Sequence, residues 1–167
     1  MNKRTISILF IVSVLILASM TVSAEYVPIK DKIWNQIEDE HKFNMTIRDY
    51  SGVRKLAIAG FYLRPHADMI GISVDEINSV WPNNKILSIF VSPMNGSQYF
   101  WPSDFSFVQD GSQYDINTFN DIYSLSGPFD GGEIKSGVVA FGLLALPEQI
   151  DTSREFTIWY EDAKTTL

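Results

Sequence analysis

Ile86-Leu87-Ser88-Ile89-Phe90-Val91 decides how this chain folds. Apart from Ser88 every side chain in it is apolar, so no alternation separates a wet face from a dry one. A short run of that kind, rich in branched and aromatic residues, fits a strand buried on both sides. It predicts a central strand. On the N-terminal side, Phe43, Met45 and Ile47 alternate with Asn44, Thr46 and Arg48, the period-two pattern of a half-buried strand. A second apolar run, Leu56 to Leu63, ends at Arg64-Pro65. On the C-terminal side, Asp104-Phe105-Ser106-Phe107-Val108 alternates and leads into Asp110-Gly111, a dipeptide suited to a tight hairpin because both residues tolerate positive φ. Gln113 to Ile116 is then the partner strand. Residues 117–136 are rich in Asn, Ser, Gly and Asp and read as a long loop. Strand character resumes over Gly137–Leu144 and again over Glu155–Glu161.

Short strands with turn signals every 8–12 residues point to an antiparallel β-sandwich rather than a βαβ sheet. The class expected is all-β with a minor α component. One stretch departs from the strand rhythm. Ser73 is placed to cap a helix, Glu76 follows it at capping-box spacing, and Trp81-Pro82-Asn83-Asn84 would stop it. A short helix or insertion is therefore expected near residues 66–84. Residues 25–42 read as a linker or short helix, on the i, i+4 spacing of Ile33 and Ile37, with the domain proper running over 43–167.

Residues 1–24 read as an address. Lys3-Arg4 is a basic start, Ile6 to Leu17 is almost wholly apolar, and Val22-Ser23-Ala24 offers the small residues a signal peptidase admits. The alternative is an uncleaved N-terminal anchor, since the apolar run approaches the length that spans a bilayer. Either way the remainder is expected outside the cell, secreted or at its surface, with no membrane span after cleavage. Lys3 and Arg4 are the leader's only charges, so its removal lowers the formal net charge by two, from −7 to −9. An acidic surface of that kind argues against nucleic acid, whose phosphates need clustered Lys and Arg. The absence of Cys removes disulfides, thiol catalysis and Cys-ligated metal together.

Four pieces in chain order carry a family resemblance: the Ile86–Val91 strand leading to Asn95, the Phe105–Tyr114 hairpin, the segment Gly131 to Phe141, and the closing Phe156–Tyr160 strand. Together, over residues 84–161, they resemble the telokin-like, immunoprotective-extracellular type of prokaryotic secreted domain. Gly132, Glu133, Gly137 and Phe141 match that family's late glycine–glutamate segment. The resemblance implies an immunoglobulin-like antiparallel β-sandwich, an extracellular setting and no catalytic residues.

Candidate chemistry is sparse. No nucleophile elbow, phosphate-binding glycine loop or zinc-protease motif occurs, so the chain is not expected to be an enzyme; a small secreted hydrolase is the least favoured reading. His41 and His66 are the only histidines and read as surface residues. Tyr99-Phe100-Trp101-Pro102 is the most unusual local feature, because strand side chains alternate and these rings cannot all enter one core. Trp81, Tyr99, Trp101 and Tyr114 are accordingly candidate ligand-binding aromatics, for a sugar ring or for a protein surface. Asp110, Asp115 and Glu133 could converge on calcium, which takes six to eight oxygens; no other cofactor is suggested. Asn44 and Asn95 head glycosylation sequons. The expected role is a non-catalytic binding or interaction domain for an extracellular protein or cell-envelope component. A carbohydrate-binding module acting on polysaccharide is the alternative.

Overall fold

The Ile86–Val91 run lies at the centre of the molecule, for a reason visible in the sheet order. The computed structural model describes residues 28–82, 85–116 and 120–167; the leader expected over 1–24 lies outside the described residues. Strands β1 (Lys42–Arg48), β2 (Arg54–Tyr62) and β3 (Ile86–Pro93) form a meander. Strand β9 (Ala140–Ala145) returns against β3, and β7 (Ile122–Ser126) closes the edge, so the five-stranded order is β1-β2-β3-β9-β7. Every residue of β3 is buried. A second antiparallel sheet has the order β11-β10-β5-β6, from Ala163–Thr166, Thr157–Tyr160, Phe105–Gln109 and Ser112–Asp115. A two-stranded ribbon joins β4 (Gln98–Phe100) to β8 (Gly132–Ile134).

The chain is thus a mostly β, antiparallel structure with a few short helices, as the alternating runs predict. Phe43, Met45 and Ile47 all point into the space between the two large sheets, where they meet Phe105, Phe107 and Ile158. The Asp110-Gly111 hairpin forms at the expected place: Gln109 pairs with Ser112, and the two turn residues have φ of 53° and 79°. Positive φ at both positions matches the right-handed twist of the flanking strands.

Residues 63–82 cover the opposite face of the five-stranded sheet. They contribute α2 (Leu63–His66), a 3-10 turn over Ala67–Ile70, and α3 (Val74–Val80). Ser73 caps α3 by accepting from the backbone N–H of Asp75 at 3.3 Å. Leu63, Ile70, Ile77 and Trp81 pack there on Ala59, Phe61, Phe90 and Phe141. This explains why β3 lacks a polar face: one side meets the second sheet and the other meets the helical cover. Residues 28–42 belong to the same cover. They include α1 (Asp31–Trp34), and Ile29 and Ile37 are buried in the same cluster, so this stretch is packed structure rather than a linker.

Other boundaries differ from the sequence reading. Residues 117–136 are not one loop, since β7 and β8 both lie within them. Both strands are short, leave several side chains exposed and are held through backbone pairing, so polar residues cost them little. The same holds for β11, which pairs with β10 although three of its four residues are polar. Among the described residues, no helix is long and apolar enough to cross a membrane.

Candidate functional site

The β4–β8 ribbon resolves the aromatic run by alternation. Phe100 turns inward, is fully buried, and stacks on Tyr160 with ring centroids 5.5 Å apart. Tyr99 and Trp101, one residue to either side, turn outward and are 66% and 49% exposed. The backbone N–H of Trp101 donates to the Tyr160 hydroxyl at 3.1 Å, which ties this end of the ribbon to the second sheet. Burial holds the Tyr160 phenol well above its ordinary pKa, so it stays protonated.

Trp101 has a specific seat. A Cβ built on Gly131 would stand 2.5 Å from the Trp101 ring, and Gly131 has φ of 123°. Only glycine admits both the backbone shape and the close approach. The indole therefore rests on a bare backbone while half its surface stays open. Glu133 pairs directly with Tyr99 across the ribbon, so its exposed carboxylate lies on the same face. Two exposed aromatic rings and one acid thus share a small surface.

The remaining expected site residues lie elsewhere. Trp81 is buried, and its Nε1–H donates to the Asn120 carbonyl at 2.6 Å, so it offers no stacking face. Its position follows from the apolar side of α3, where Ile77 also points inward. Tyr114 pairs with Phe107 and packs against the inter-sheet core. The structure does not bring the three calcium candidates together. Asp110 forms an ion pair with Arg154, Asp115 accepts from Gln113 at 3.2 Å, and Glu133 stands on the ribbon. Of the sequons, Asn95 is exposed in its turn, whereas Asn44 is half-buried within β1 opposite Ala59.

A cleft of about 510 Å³ opens at the end of the sheets, lined by His41, Tyr62, Arg64, Lys85, Arg154 and neighbours. Its cations are already engaged: Lys85 donates to the Ile150 carbonyl at 2.5 Å, and Arg64 to the Trp81 and Pro82 carbonyls at 3.2 and 3.3 Å. Burial pushes the Tyr62 phenol up to about 12. His66 is buried rather than at the surface, and burial, aided by the neighbouring His41, lowers its pKa against the opposing pull of Glu38. The sequence did hold a signal for this meeting. Pairing β1 with β2 sets Lys42 against Phe61, so residues 41 and 66 must fall near one end of the hairpin.

No family model, characterised protein or solved structure matches the chain.

Proposed function

We propose that the protein is an exported, non-catalytic binding domain that presents the Tyr99–Trp101–Glu133 face to an extracellular protein or cell-envelope component. The observation that carries this reading is Trp101, seated on Gly131 and half open to solvent. An indole held by its backing loses little conformational freedom when a partner covers it, so more of its burial appears as affinity. Trp and Tyr are also the side chains most often found to dominate interfaces. The face carries no nucleophile beside a base, which supports binding over catalysis. The antiparallel two-sheet arrangement supports membership of the secreted, immunoglobulin-like type of domain, and the leader-like N-terminus supports export.

A saccharide is the second reading, favoured by Glu133. A flat aromatic face with a carboxylate beside it can stack on a sugar ring and accept from its hydroxyls. Retention of the purified protein on immobilised cell-envelope extract, on envelope proteins and on polysaccharide separates the two. Trp101→Ala should weaken retention at least about tenfold, the size of a modest hot spot. Since Trp101 is half exposed, the variant should keep its fold, to be checked by circular dichroism. Unchanged retention in the Tyr99→Ala, Trp101→Ala double variant would sink the proposal.

A further inference from the structure

Glu38, Glu40 and His41 offer ligand atoms that all lie within 4.8 Å of one another, the only such group of three among the described residues. Acidic clusters are common at surfaces, and this one would mean little by itself. What sets it apart is His66. That ring is 7% exposed, its Nε2 has no hydrogen-bond partner, and it lies against His41 with ring centroids 5.5 Å apart. A buried imidazole nitrogen with no partner is costly and calls for an explanation. The Nδ1 of His41 is also enclosed without an aligned hydrogen bond, although a Glu38 carboxylate oxygen stands 3.1 Å away.

The His66 nitrogens lie outside that 4.8 Å group, so the His66 ring must turn toward His41 to complete a donor set, and the spacing of the two rings allows it. Two imidazoles bound through nitrogens at ~2.1 Å to one tetrahedral centre have ring centres roughly 5–6 Å apart. The neighbouring cation does not compete for the acids: Lys42 pairs with Asp39 at 2.8 Å and donates to the Ile37 carbonyl at 2.8 Å. We propose that His41, His66, Glu38 and Glu40 form a site for a divalent transition-metal ion of the zinc type. Imidazole nitrogens with carboxylate oxygens are a donor set that such ions favour. Calcium and magnesium favour all-oxygen shells and are disfavoured here.

The ligands come from two segments far apart in the chain that the β1–β2 pairing brings to one end of the sheet. Glu38, Glu40 and His41 precede β1, and His66 ends α2 after β2. A bound ion would therefore staple the N-terminal part of the cover to its central part. Glu40 and His41 also line the 510 Å³ cleft, which leaves the ion reachable from solvent.

The test is calorimetric titration of the purified protein, carrying no oligohistidine tag, with Zn²⁺ alone and then with Ca²⁺ alone. One Zn²⁺ per chain is expected, with no comparable Ca²⁺ binding. His41→Gln and Glu38→Gln alter side chains that are at least partly exposed, so both variants should fold; each should weaken Zn²⁺ at least roughly tenfold, the loss that even a ligand's hydrogen-bonding partner can cause. Co²⁺ bound in its place should give the intense visible absorption of a tetrahedral centre, and His66→Gln should abolish it. No Zn²⁺ binding, or binding indifferent to His41→Gln and Glu38→Gln, overturns the proposal.

Discussion

On one face of the five-stranded sheet, Phe43, Ile58 and Ile89 meet Phe105, Phe107 and Ile158 from a second sheet. On the other, Phe61, Phe90 and Phe141 meet side chains from residues 28–41 and 63–82, which form only short helices and turns. Both faces are dry and aromatic. Phe90 and Phe141 stack at 4.3 Å on the covered face, as closely as any ring pair found between the sheets. The difference lies in how each partner is held. The second sheet keeps its own hydrogen-bonded ladders, whereas helices of four to seven residues are too short to persist without tertiary contact. A cover of this kind should open locally at lower free energy than the sandwich beneath it.

Three experiments press on that contrast. The largest effect belongs between the sheets: Phe107→Ala removes a fully buried ring and should cost about 3–5 kcal/mol, read from urea unfolding. In the cover, Ile77→Ala should cost only about 2 kcal/mol, because a short helix can settle into the space left. Hydrogen exchange sharpens the comparison. Amides of α3 should lose protection in Ile77→Ala while those of β3 keep theirs. Equal loss in both would show that cover and sandwich open as one unit.

The smallest effect concerns the turn that leads from β9 to β10, and so from one sheet to the other. Buried Gln109 holds this turn, donating to the Asp151 carbonyl at 2.9 Å and accepting from the Asp151 N–H at 2.8 Å. Hydrogen bonds from the Ser153 hydroxyl and N–H keep the Asp151 carboxyl below its ordinary pKa. On acidification the unfolded chain therefore takes up this proton first. The contribution is complete above the unfolded value of ~3.9 and is lost as pH falls through the lower folded value. Asp151→Asn should flatten this acid limb in a series of urea midpoints from pH 5 to 2. Superimposable limbs for the two proteins would count against the assignment.

Much of the sandwich could be read from residues. Ile86–Val91 announced a strand with two dry faces, and Asp110-Gly111 announced its hairpin, because both depend on local chemistry. Strands β7, β8 and β11 were harder, since their partners supply backbone hydrogen bonds that no side-chain pattern records. Trp81 shows the limit from another side. A Trp beside Pro82 in turn-like sequence suggested exposure, and only the sheet lying under α3 makes it a core residue. Of the proposed recognition face, Tyr99 and Trp101 followed from alternation alone. Gly131 did not, because its meaning lies in the distance to a ring thirty residues earlier in the chain.

Trp81 also gives the molecule an optical gauge. It is the only buried tryptophan of four, it joins the end of α3 to the Asn120 carbonyl, and it meets Tyr123 edge-on. Its emission should lie to the blue of the other three indoles. Were the cover to lift while the sheets stayed paired, that blue component would fade while the strand contribution to the far-ultraviolet dichroism persisted and only its small helical part was lost.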